Sequence, residues 1–114
     1  MADLVALVSS YFEAWNSHDA EKCGAFFAEV CEHRDWDAGV EGRAETTKFL
    51  AGLFEAVPNI KLTIEALHVS PSTSTVAAEI TVHVGDEAKT ILKVTDHITF
   101  DGEAKIKNLQ AYKQ

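Results

Sequence analysis

Leu92-Lys93-Val94-Thr95-Asp96-His97-Ile98-Thr99-Phe100 alternates apolar and polar residues, with one exception. Leu92, Val94, Ile98 and Phe100 share their parity with Asp96, while Lys93, Thr95, His97 and Thr99 take the other. Successive side chains of a strand point to opposite faces, so the pattern predicts a half-buried strand over Lys89–Phe100. Asp96 then points inward with the apolar set. A lone inward carboxylate is costly unless it is paired, hydrogen-bonded or protonated. That cost is tolerated more often at a working site than in a structural core.

The flanking sequence extends the pattern. Thr75–Val84 puts Val76, Ala78, Ile80, Val82 and Val84 on one face, and Ile60–Val69 does the same with Leu62, Ile64 and Ala66. Lys105–Tyr112 reads as a last strand. Pro71-Ser72, Gly85-Asp86 and Asp101-Gly102 supply turns, and connections this short imply an antiparallel meander.

Upstream, Leu4, Leu7, Val8, Tyr11, Phe12 and Trp15 recur at helical spacing, predicting a helix over residues 2–17. Asp19 is a natural N-cap for a short helix over 20–28, with Phe26 and Phe27 sealing its end against the core. Residues 30–37 read as extended, and Gly39 and Gly42 break the chain. Arg43–Val57 carries Phe49, Leu50, Leu53 and Phe54 and is stopped by Pro58. The expectation is an α+β fold in which three N-terminal helices pack on the concave face of a curved antiparallel sheet, as one domain over residues 1–114.

The totals agree with an ordinary globular chain. With 114 residues, 46% of them hydrophobic and 25% charged, the chain can bury roughly two-thirds of its unfolded surface. A net charge of −8 argues against nucleic acid or an anionic membrane as partner. Cys23 and Cys31 form no CxxC pair and read as reduced thiols in a cytoplasmic protein. No signal peptide or spanning segment is expected. No GxGxxG, GxxxxGK[ST] or GxSxG occurs, which removes the common dinucleotide, nucleotide and serine-hydrolase readings.

Tyr11-Phe12-Glu13-Ala14-Trp15-Asn16, His18-Asp19-Ala20-Glu21, Phe26-Phe27-Ala28-Glu29 and Gly42-Arg43-Ala44-Glu45 stand in an order and spacing that resembles the nuclear transport factor 2-like superfamily. So does the ending Ile98-Thr99-Phe100-Asp101-Gly102, Lys105-Ile106 and Gln110-Ala111-Tyr112. The resemblance implies a cone-shaped α+β barrel, cystatin-like, with a deep pocket, and a homodimer paired through its sheet. Within the superfamily the chain is most similar to ketosteroid isomerases and to polyketide cyclase-like proteins. The isomerase resemblance puts Tyr11 at the oxyanion-hole tyrosine, Asp35 at the general base and Asp96 at the protonated, hydrogen-bond-donating acid. The chain departs from the familiar isomerases at Trp36, where they carry proline. Phe27 and Leu50 stand where they have tyrosines of the oxyanion network, and Lys113 stands where they have an aromatic.

These residue types suit one chemistry. Proton abstraction alpha to a carbonyl needs a base near the carbon and donors where negative charge develops on oxygen. Asp35 is the candidate base; Tyr11 and a neutral Asp96 are the candidate donors. Burial favours the neutral acid, and only a neutral acid can donate. The reading is a cofactor-free isomerase that moves a carbon–carbon double bond in a small hydrophobic, ketone-like substrate. A cyclase or dehydratase in the same pocket is the enzymatic alternative, and a non-catalytic ligand- or protein-binding module is the other.

Each residue also has a plainer reading: Tyr11 as a core tyrosine, Asp35 as a turn or surface carboxylate, Asp96 as a structural ion. If residues 30–37 are extended, Cys31, His33, Asp35 and Asp37 share a face, and all are potential metal ligands. With no HExxH or paired CxxC beside them, no metal is expected. His33 instead reads as a pocket residue that modulates Asp35. His18, His68, His83 and His97 read as exposed or peripheral. Trp15 and Trp36 both read as core or pocket wall, but Trp36, opposite in parity to Asp35, is expected rather to pack elsewhere or at a dimer contact.

Overall fold

The computed structural model describes residues 3–85 and 90–114. The order is α1 (Leu4–Asn16), α2 (Ala20–Gly24), β1 (Phe27–Arg34), β2 (Gly39–Glu41), α3 (Arg43–Ala56), β3 (Lys61–Ser70), β4 (Thr75–Val84), β5 (Thr90–Phe100) and β6 (Ile106–Lys113). The expected positions Ala2, Asp86 and Lys89 lie outside the described residues.

Side chains cap the first two helices. Asp3 accepts from the Ala6 N–H at 3.1 Å, and Asp19 accepts from the Lys22 N–H at 3.0 Å. The first satisfies an amide that α1 itself leaves unpaired, and α1 buries Val8, Tyr11, Phe12 and Trp15. α1 packs over β3 and β4, and α3 over β1 and β2. The core between the layers is completely closed at Val8, Phe27, Val76, Ile98 and Ile106.

The strands run β2-β1-β6-β5-β4-β3 in one curved, open sheet. From β3 to β6 it is the antiparallel meander that the alternation predicts, with Val76 facing Ile98 and Ile80 facing Val94. Within β5, Val94, Asp96, Ile98 and Phe100 are all buried. No described helix is long and apolar enough to cross a membrane.

Five local expectations are corrected. α2 stops at Gly24, because Phe27 pairs with Ile106 and the Ile106 N–H donates to the Phe26 carbonyl at 2.8 Å; ladder bonding displaces the last helical turn. β1 lies parallel to β6, so the sheet is not wholly antiparallel. The extended run ends at Arg34, and a short β2 folds back on β1, pairing Glu32 with Glu41. A bulge between Ile64 and Ala66 reverses the parity of β3, so Leu67, not Ala66, faces Ala78. Finally, His18 is not peripheral. At φ +58 its ring stacks on Phe54 at 4.6 Å, and its Nε2 lies 2.6 Å from the Ile60 carbonyl.

Candidate active site

The inner face of β5 meets α1 and α3 around a cavity of about 250 Å³. Tyr11, His33, Asp35, Trp36 and Asp96 line it together, within an otherwise apolar wall that includes Leu50, Val94 and Leu109. Tyr11, Asp35 and Asp96, far apart in sequence, therefore share one hollow. A larger hollow of about 670 Å³ beside His18 and Lys48 lies open at the surface.

Asp96 owes its freedom to its neighbours. It sits opposite Ala78 on β4 and Ala111 on β6, so a single methyl flanks it on each side. Larger residues there would fill the space in front of the carboxyl. Asp96 is 8% exposed. Burial, and then the charge of Asp35, push its carboxyl up to about 7. Among the described residues no protein group hydrogen-bonds its carboxyl.

Tyr11 comes from the core stripe of α1 and is 1% exposed. The rings of Phe12, Phe26 and Phe27 surround it at 5.4, 5.8 and 5.7 Å. Burial, then the charges of Cys23 and Asp96, hold its hydroxyl well above the ordinary tyrosine value. It is a neutral donor at every physiological pH. Its hydroxyl, too, has no protein partner among the described residues.

Asp35 is both a turn residue and a cavity residue. Its Oδ1 accepts from the Asp37 and Ala38 N–H groups, each at 2.7 Å, and its own N–H donates to the Ala38 carbonyl at 2.8 Å. This Asx turn leaves Oδ2 unspent. Because the strand has ended, strand parity no longer separates Asp35 from its neighbour, and Trp36 joins the same cavity. That corrects the expectation for Trp36. Asp-Trp-Asp-Ala-Gly is itself a turn-forming composition, the signal from which this could have been read. The Lys113 ammonium lies over the Trp36 ring, 5.2 Å from its centroid, a cation–π contact that reading along the chain does not reveal.

His33 lines the cavity, and burial lowers its imidazole to about 4 despite the opposing pull of Asp35. Cys31, His33, Asp35 and Asp37 do not gather into a metal site. Cys31 lies buried beneath α3, its Sγ 3.9 Å from Thr46 Oγ1. Among the described residues no three His, Cys, Asp or Glu side chains converge as metal ligands. Both cysteines are free and buried.

The arrangement combines two donors, a carboxyl with one free oxygen and a mostly apolar wall. Such a set can polarise a carbonyl and accept a carbon-bound proton.

Residues 8–108 match the SnoaL-like domain family. No curated protein matches the chain in sequence. Among solved structures, a cystatin-like-fold protein of unknown function from Methylobium petroleophilum PM1 superposes with a TM-score of 0.83 at 20% identity, over 96% of this chain and 74% of that one. A protein described as a candidate ketosteroid isomerase from Kribbella flavida DSM 17836 gives 0.79 at 19% identity, over 97% and 77%. The epoxide hydrolase/cyclase-like enzyme SalBIII, which has a role in pyran ring formation in the polyether salinomycin, gives 0.82 at 19% identity, over 97% and 90%. At these identities the likeness is one of fold.

Proposed function

The chain belongs to the SnoaL-like domain family, and within it we propose an enzyme that transfers a proton alpha to a carbonyl without a cofactor, as a ketosteroid isomerase does. The observation that carries the reading is the meeting of Tyr11, Asp35 and Asp96 in one apolar cavity. In it Asp96 keeps its proton up to about 7. Asp35 Oδ2 takes the alpha proton from a β,γ-unsaturated ketone. Tyr11 and Asp96 donate to the resulting dienolate oxygen. Asp35 then returns the proton to the gamma carbon, giving the conjugated ketone with no net change in atoms.

The test is turnover of a β,γ-unsaturated cyclic ketone by the wild type and by Asp35→Asn. Asparagine keeps an Oδ1 acceptor for the Asx turn, so the fold is preserved while the base is lost. Turnover should fall by at least a thousandfold. Unchanged turnover in this variant would reject the base assignment.

A second reading is a cyclase, in which neutral Asp96 protonates an oxygen as a ring closes. The Asp96 value near 7 favours it, since a general acid works best near the operating pH. We also propose a homodimer through the outer face of the sheet, where Ile91 and Tyr112 are 50% and 54% exposed. Sedimentation equilibrium of the wild type and of Tyr112→Glu tests it: a monomeric wild type would refute it.

A further inference from the structure

We propose that His33 is a specificity-determining residue of this cavity, an uncharged hydrogen-bonding anchor that selects one- or two-ring substrates carrying a second oxygen function besides the reacting carbonyl. The inference rests on the oxyanion-hole reading above and deepens it.

His33 comes from β1, close to its end, and lines the cavity with Tyr11 and Asp96. Two rings hold it edge-on, Phe27 at 5.7 Å and 85° and Phe49 at 5.4 Å and 67°. Its orientation is therefore set by packing. Among the described residues no protein group hydrogen-bonds either ring nitrogen. A neutral imidazole offers one donor and one acceptor. His33 is half-buried on an otherwise apolar wall, and its donor and acceptor are both unspent there. A ligand oxygen in the cavity can pair with either.

The rest of the wall narrows the ligand class. No Lys or Arg among the described residues lines the cavity, while two carboxyls do, so carboxylates and phosphates are unmatched. The cavity's volume is about 250 Å³. That volume suits one or two rings and falls below the usual range for larger ligands. The substrate is thus an uncharged, compact molecule with two oxygen functions, one at Tyr11 and Asp96 and one at His33.

The experiment compares 2-naphthol with the isomeric dihydroxynaphthalenes by calorimetry, on the wild type, His33→Leu and His33→Gln. One hydroxyl mimics the enolate oxygen; the second probes His33. At least one diol should bind the wild type about tenfold more tightly than 2-naphthol, the worth of one added hydrogen bond. His33→Leu should abolish that advantage and leave 2-naphthol within twofold, and His33→Gln should restore part of it. The ¹⁵N signals of the wild-type His33 ring should move with that diol and not with 2-naphthol, a readout that needs no variant to fold. An advantage that survives in His33→Leu, no diol better than 2-naphthol, or a ring signal indifferent to the diol would overturn the inference and leave the oxyanion hole standing. A wild type that binds no naphthol at all overturns the oxyanion-hole reading, and this inference with it.

Discussion

Asp35, in the turn after β1, and Asp96, on β5, line one cavity, and the charge of Asp35 adds to burial in keeping Asp96 protonated.

That relationship has a consequence for stability. Asp96 rises from 3.8 to about 7 on folding, so the folded state holds an extra proton between those values. Its contribution falls as pH rises from about 4 to 7, and the penalty is complete above 7. His33 drops from 6.5 to about 4, so the unfolded state holds the extra proton there, and stability rises with pH across that window. The two slopes oppose each other. The wild type should show a nearly flat urea midpoint from pH 4 to 6.5. Asp96→Asn should unmask a rising slope and His33→Leu a falling one, each spanning a few kcal/mol. Parallel profiles for all three proteins would contradict this.

Ligand binding should report the same proton. Affinity for 2-naphthol is expected to be level below pH 7 and to fall by up to tenfold per pH unit above it, as Asp96 ionises and stops donating. Asp96→Asn retains an N–H donor and should flatten the profile. A wild-type profile already flat to pH 9 would mean that Asp96 does not donate to the ligand.

The alanines beside Asp96 can be tested directly. Ala111 faces Asp96 in register and lines the cavity. Ala111→Leu should project three more carbons into that space and abolish naphthol binding. The cost to stability should be at or below the usual ~1–3 kcal/mol of overpacking, because the carbons enter a void. Denaturant midpoints and calorimetry on one sample separate the two effects.

The α2–α3 contact makes a purely structural prediction. A Cβ on Gly24 would lie 1.9 Å from Thr47 Oγ1, whose hydroxyl donates to the Arg43 carbonyl at 2.9 Å. Gly24→Ala should destabilise by about 1–3 kcal/mol. Combining it with Thr47→Ala, which removes the clashing oxygen, should recover most of that loss. An additive double-mutant cycle would show that the close approach is not the cause.

Much of the architecture is written locally. The alternation in Thr75–Val84 and Thr90–Phe100, the helical stripe of Val8, Tyr11, Phe12 and Trp15, and the cap at Asp19 each depend on a few neighbouring residues, and each is found, save that Thr81 is buried against the parity of β4. The inward direction of Asp96 belongs with them, since it follows from a period of two. Ala66 marks where this logic fails: one bulged residue reverses parity, and nothing in Ile64-Glu65-Ala66 announces it.

The chain's own pattern thus told which side chains turn inward and what chemistry they bring. Their company was decided in three dimensions. The parallel pairing of β1 with β6, the Asx turn that swings Asp35 and Trp36 together, and the small neighbours at Ala78 and Ala111 create a hollow of a particular size. Direction along a strand is a property of adjacent peptides, whereas desolvation and charge repulsion are sums over groups that only folding brings near. The protonation of Asp96 belongs to the second kind.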